Sequence, residues 1–174
     1  TNNVVYIVKM DVATANVTVN NIQFTLSGNH DANDLTYVNV YFNASAATMT
    51  GASYLGNTVA TFAGPHAYSI NINKPMTAGT SGYFLVTVNV SATATDNKTV
   101  RITGGTTPVV FGFTSAVSVT NNQTNNAGTQ TIEAPDINLT STAVAAATIG
   151  LARLMHTPNG GMLTIGTKIG RAHV

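Results

Sequence analysis

Short runs of alternating apolar and polar residues recur along most of the chain, and Gly, Asn, Asp or Pro ends nearly every run. The runs are rich in Val, Ile, Thr, Tyr and Phe, and the alternation is typical of a strand that buries one face. The predicted strands are residues 4–10, 16–19, 22–26, 36–42, 56–62, 67–72, 83–90, 99–103, 109–113 and 116–120. These ten runs at this spacing predict an all-β fold of about nine strands, an antiparallel β-sandwich of Ig-like or jelly-roll type with a C-terminal extension.

The polar stretches between the runs are predicted as turns and loops. The residues AGPH at 63–66 and the pair Lys74-Pro75 are typical of turns, and residues 91–98 are typical of a polar hairpin link. The low-complexity stretch 120–128 predicts a long loop or a hinge.

Charge is scarce in this chain: charged residues make up 7% of it and the formal net charge is +1, whereas about 25% is usual in globular proteins. Without a basic field we expect no nucleic-acid partner.

The absence of cysteine excludes disulfides, thiolate catalysis and zinc–thiolate sites. The longest apolar run, 143–155, contains Arg153 and is too short to span a bilayer, so we expect no membrane insertion. A surface rich in Thr, Asn, Ser and Gly favours an extracellular, cell-surface location.

Catalytic chemistry finds little support in the residue pattern. The six carboxylates form no pair at helical spacing, and the four histidines form no His-x-His or His-x-x-x-His ligand pair. No phosphate-binding glycine loop and no Gly-x-Ser-x-Gly motif occurs. We therefore expect a chain that is not an enzyme, with no catalytic residues and no organic cofactor.

Several stretches carry a resemblance to a known family. They are residues 1–6, 34–35, 38–42, 55–56, 64–65, 78–87 and 91–94. On these, the chain resembles the N-terminal β-sandwich module of BNR-repeat neuraminidases, which is also found in tandem in secreted bacterial surface proteins. The similarity covers about residues 1–132 and concerns turns and strand cores, so it implies a fold and no reaction.

The resemblance also implies an unusual order of segments. In tandem members, a segment like 137–145 precedes the TNNVVY-like start of the next module, whereas here it follows the module. We therefore predict that the sandwich (1–132) lacks a leading strand and that the extension (133–152) carries a surplus strand for a neighbouring copy. The predicted acceptor edge is Val4, Tyr6 and Val8, and the predicted donor residues are Ile137, Leu139, Thr142 and Val144. The alternative is that the ends mark where a fragment was cut from a longer tandem protein.

The last part of the chain, residues 153–174, is assigned no structure from sequence, and residues 141–155 are compatible with strand or helix. Residues 168–174 read KIGRAHV, which matches the translation of a short-read sequencing adapter. We therefore expect that these seven residues are an artefact of an environmental sequence assembly.

Two further kinds of site are candidates. Asp31, Asn33 and Asp34 supply oxygen ligands of the kind that Ca²⁺ prefers, although the same residues are typical of an Asx-rich turn. Among six Asn-x-Ser/Thr sequons, Asn97 and Asn122 are the predicted glycosylation sites because they lie in loops.

A platform for glycans is a further candidate, since aromatic faces pack on sugar rings. Its predicted members are Tyr37, Tyr41, Tyr54, Tyr68 and Tyr83. The alternative is that these tyrosines pack at the border of the core with their hydroxyls at the surface.

These observations predict a non-catalytic extracellular structural subunit whose partners are copies of itself, joined head-to-tail into a surface filament by strand complementation. The alternative is an accessory or adhesion module, with affinity for carbohydrate, in a larger secreted glycoside hydrolase or surface protein. Filaments are expected from the first and glycan affinity of a monomer from the second.

Overall fold

The computed structural model describes residues 2–124 and 128–133, together with the backbone of residues 153–154 and 165–166. The chain divides into two compact units, Thr1–Pro135 and Asp136–Val174. Within the described residues the regular structure is all strand, with no helix long and apolar enough to cross a membrane.

Nine of the described strands lie in the first unit. They are β1 (Asn2–Val12), β2 (Val17–Ser27), β3 (Leu35–Asn43), β4 (Ser53–Val59), β5 (His66–Met76), β6 (Thr80–Val90), β7 (Thr99–Thr103), β8 (Val109–Phe113) and β9 (Gln130–Thr131). In the second unit, β10 (Arg153–Leu154) pairs antiparallel with β11 (Ile165–Gly166).

The strands of the first unit form two antiparallel sheets that pack face to face. One sheet has the order β1-β6-β3-β4 and the other has the order β5-β2-β7-β9, with β8 also paired to β2. Because β5 covers one side of β2 along almost its whole length, β7 and β8 follow each other along the opposite side. The predicted all-β antiparallel β-sandwich is confirmed.

The core lies between the sheets and is built from the apolar positions of the alternating runs. Phe84 of the first sheet is at its centre, in edge-to-face contact with Phe42 and with Phe111 of the opposite sheet, at 5.1 Å between ring centroids in each case. Ile22 and Leu26 of β2 are fully buried beside them. Such interdigitated aromatic and aliphatic side chains supply most of the favourable free energy of folding.

Four sequence-based predictions of local structure were wrong. The runs 16–19 and 22–26 form one strand, because a β-bulge after Val19 absorbs the change in alternation. Lys74 and Pro75 lie inside β5, where proline is tolerated because β5 is an outer strand of its sheet. Residues 91–98 join β6 to β7, which belong to different sheets, so they form a crossover and not a hairpin. The predicted strand 116–120 pairs with nothing in the described part of the chain.

Candidate functional site

The predicted acceptor strand, β1, is an outer strand of its sheet. In the part of the chain that the structure describes, β1 pairs with β6 alone. Val8 is buried, whereas Val4 and Tyr6 are half-buried. The Tyr6 hydroxyl donates a hydrogen bond of 2.9 Å to the carbonyl oxygen of Thr124, and partial burial raises the pKa of this phenol.

The side of β8 that faces away from β2 is the border of the second sheet, as β1 is a border of the first. At its first residue, the Gln123 carboxamide accepts a hydrogen bond from the Val109 N–H at 3.1 Å and donates one to the Val109 carbonyl oxygen at 2.7 Å. Asn121 donates to the Thr106 carbonyl oxygen at 2.8 Å. The Gln123 amide therefore covers the first residue of this strand, where a neighbouring strand would normally lie, and Asn121 is bonded to the turn before it.

A groove with a volume of about 860 Å³ lies between these two borders. One wall is β1 from Tyr6 onward with the following turn, the other is the stretch 116–124, and Phe111 and Phe113 also line it. The charged residues of the described lining are Lys9 and Asp11, which form an ion pair at 2.7 Å. The groove is therefore long, partly apolar and without net charge.

The groove and the departing chain lie toward opposite ends of the sandwich. We call these the Lys98 end and the Val12 end. The Ile132 N–H donates to the Lys98 carbonyl oxygen at 2.7 Å, so the chain that leaves β9 does so at the Lys98 end, where β1 also begins. The groove follows β1 toward the Val12 end and reaches the turn at residues 13–15.

The predicted donor residues Ile137, Leu139, Thr142 and Val144 lie outside the described residues. The stretches 141–152 and 168–174 also lie outside them, so the predictions made for the extension and for the adapter-like end stay predictions.

The predicted calcium loop uses its oxygens for its own hydrogen bonds. The Asp34 carboxylate accepts from the Asp31 N–H and from the Thr95 N–H, both at 2.7 Å. Asp31 forms an ion pair with Lys98 at 3.0 Å, and the Asn29 side chain accepts from the Thr99 N–H at 2.6 Å. Asn33 is exposed in the same turn. This is the geometry of an Asx-rich turn, and no group of three acidic, histidine or cysteine side chains that could hold a metal occurs among the described residues. Calcium binding stays a prediction.

Burial and hydrogen bonding act in opposite directions on the Asp34 carboxyl. Burial raises its pKa, but the N–H groups of Thr95 and Asp31 and the charge of Lys98 outweigh this and hold the pKa below its usual range. Asp34 is therefore ionised in the folded protein at neutral pH, and it joins the loop before β3 to the crossover before β7.

Both predicted glycosylation sites are exposed. Asn97 has a left-handed backbone (φ 62°) in the crossover, and its side chain donates to Asp96 at 2.8 Å. Asn122 lies in the stretch that forms a wall of the groove. Modification at either residue stays a prediction.

Four of the five singled-out tyrosines share the outer face of the first sheet. Tyr37 and Tyr54 are 41% and 53% exposed, and the rings of Tyr41 and Tyr54 meet edge-to-face at 5.6 Å. Tyr83 alternates with the core residue Phe84 and so points to the same outer side.

Tyr68 does not belong to this face. It is a core residue that packs at 6.0 Å from Phe24, and burial raises the pKa of its hydroxyl. Its place in a glycan platform was therefore predicted wrongly.

Sequence reasoning missed Gln123, Asn121, Phe111 and Phe113 as groove residues. The polar residues that follow the strand-like run 116–120 indicated a special segment, but the sequence pattern does not show which sheet border this segment covers.

No protein-family model matches this chain, and no curated protein matches its sequence.

Proposed function

We propose that this chain is a non-catalytic structural subunit that joins copies of itself head-to-tail, the extension of one copy filling the groove beside β1 of the next. The observation that supports this most is the groove itself, which follows β1 from Tyr6 to Val12 along a sheet border that has no further strand in the described part of the chain. We further propose an extracellular location, as the composition suggests.

The polarity of the sandwich favours a neighbour as the source of the strand. The chain leaves β9 at the Lys98 end, and a copy stacked on that end presents its Val12 end and groove to it. A strand entering there runs antiparallel to β1, like every ladder in the described part of the sandwich. A strand that folded back on its own subunit would run parallel to β1. A head-to-tail contact of this kind is heterologous, and it repeats as an open filament unless its rotation closes a ring.

The donor stretch and the groove also carry compatible charge, since neither adds a net charge. The donor stretch 137–145 carries no charged residue, and the ion pair in the groove is neutral as a pair. No isolated ion therefore has to leave water when the strand enters.

The test is to image the purified full chain by negative-stain electron microscopy and to measure its sedimentation. We expect filaments from the wild type, and a loss of filaments from Leu139→Asp, because alternation places Leu139 on the face directed into the groove. The matched control is Asn138→Asp, which adds the same charge one position earlier on the opposite face and should still assemble.

A monodisperse wild-type monomer over a wide concentration range would overturn the proposal. So would equal assembly of Leu139→Asp and Asn138→Asp, since the pairing would then not depend on the donor face.

The second candidate is the accessory module with carbohydrate affinity, and the shared outer face of Tyr37, Tyr41, Tyr54 and Tyr83 favours it. The half-buried Asn89 lies in the same face, where it accepts a hydrogen bond from the buried Asn39 at 3.2 Å, so one amide side chain accompanies the aromatic rings. A glycan array with the full chain tests it, and Tyr54→Ala should weaken binding more than Tyr68→Phe, whose ring is in the core. Absence of binding to every glycan would refute this candidate.

A further inference from the structure

The Gln123 carboxamide takes the position of a missing strand. Its oxygen accepts from the Val109 N–H and its nitrogen donates to the Val109 carbonyl oxygen, which is the pair of bonds that one residue of an antiparallel neighbour would make. Gln123 therefore marks the outer side of β8 as a border to which a strand can be added.

The alternation of the strand extends this border beyond Val109. In an antiparallel ladder, successive residues direct their N–H and C=O groups to opposite sides. Thr114 directs its N–H to β2, with a hydrogen bond of 3.1 Å to the Thr18 carbonyl oxygen. Phe113, Phe111 and Val109 consequently direct theirs away from β2, toward Gln123, and in the described part of the chain β8 pairs with β2 alone.

The neighbouring stretch 116–120 leaves this border open. Its sequence, AVSVT, has the composition of a strand, yet it forms no ladder in the described part of the chain and Val119 is 63% exposed. It lies beside the groove as a wall, so an added strand does not have to break a ladder to enter.

We infer that the border of β8 formed by Phe113, Phe111 and Val109 is the row with which the neighbouring copy's donor strand pairs. This inference rests on the proposed function and assigns its hydrogen bonds to β8, where the sequence had pointed to β1. The strand enters at the Val12 end, pairs with Phe113 and Phe111 antiparallel to β8, and then takes over Val109 from Gln123. Until then the carboxamide keeps the Val109 backbone groups satisfied.

Residue-resolved hydrogen exchange on the full chain tests this, with assembled wild type compared with unassembled Leu139→Asp. We expect the Phe111 and Phe113 amides to exchange at least about tenfold more slowly in the assembly. Val110 and Gly112 are the internal control, because they face β2 and should be protected equally in both states.

A kinetic measurement addresses Gln123 separately. Gln123→Leu keeps the size of the side chain and removes both hydrogen bonds, so assembly followed by light scattering should be about tenfold faster, given the usual net strength of two neutral hydrogen bonds. The matched control is Gln23→Leu, which makes the same change at an exposed position of β2 and should assemble at the wild-type rate.

The outcomes separate the two proposals. If the wild type does not assemble, both fail together. If it assembles while the Phe111 and Phe113 amides exchange as in the unassembled protein, the assignment to β8 is overturned and the proposed function stands. An unchanged rate for Gln123→Leu overturns the role of the carboxamide.

Discussion

Replacement of Asp34 by Asn tests whether the loop before β3 is held by hydrogen bonds to a charged group. Asp34 is 1% exposed, and each of its carboxylate oxygens accepts one backbone N–H at 2.7 Å. An amide has one oxygen, so the substituted side chain keeps one of these bonds and turns an NH₂ group toward the other N–H.

The expected cost follows from these contacts. Loss of one hydrogen bond to a buried charged acceptor, with a donor left unsatisfied, is worth about 2–3 kcal/mol. In a chain of this length that corresponds to a fall in Tm of roughly 5–10 °C.

The cost also depends on pH. The pKa of Asp34 is lower in the folded protein than its ordinary value, so its stabilising effect is fully present above the unfolded pKa of about 3.9. The effect is lost as the pH falls through the lower, folded pKa. The wild type should therefore lose stability below about pH 4 more steeply than Asp34→Asn does.

The assay is urea unfolding followed by far-UV circular dichroism, since the chain has no Trp. The control is Asp31→Asn, which removes an exposed ion pair with Lys98 and should cost no more than about 1 kcal/mol. The reasoning is refuted if Asp34→Asn is as stable as Asp31→Asn at pH 7, or if its deficit is the same at acid pH.

Three further predictions concern the core and the loop. Gly82→Ala should destabilise by about 1–3 kcal/mol, because a Cβ there would overlap the buried Phe42 ring. Thermal melting measures this against Gly128→Ala, where the nearest atom is 3.7 Å away, and equal melting of the two variants would contradict it. Phe84→Ala should cost about 3–5 kcal/mol, since it removes the ring that joins the two sheets, and chemical unfolding with an unchanged Cm would refute this. Excess Ca²⁺ and EDTA separate the two interpretations of the loop: an Asx-rich turn whose Asp34 oxygens are already hydrogen-bonded gives the same Tm in both, whereas a calcium site gives a rise in Tm with Ca²⁺.

The alternation of residues was sufficient to predict a sandwich, but it misplaced strand borders where the phase changes. Val17 and Val19 alternate on odd positions, whereas Ile22 and Phe24 alternate on even ones. This pattern was interpreted as two strands with a turn, although a single bulged residue produces the same change of phase. A shift of one position without Gly or Pro is thus better interpreted as a bulge.

The candidate site was predictable only in part for a similar reason. The border of β1 follows from its place at the start of the resembling module, but the border of β8 depends on which strands β2 pairs with, and pairing over about 90 residues is not encoded in local alternation. Gln123 was missed because a carboxamide that imitates a backbone amide looks, in sequence, like any polar loop residue.

The low charge of the chain acquires a specific meaning if the proposed assembly is correct. Exposed sheet borders are normally kept from pairing by charged side chains, which would have to leave water before a strand could be added. Here the first residue of the β8 border is covered by the neutral amide of Gln123. Neutral amides protect such a border more weakly than ions do, because an incoming backbone replaces their hydrogen bonds one for one. A cover of this kind slows strand addition without preventing it. A charged residue in its place should therefore block assembly where Leu accelerates it, so Gln123→Glu and Gln123→Leu should change the rate in opposite directions.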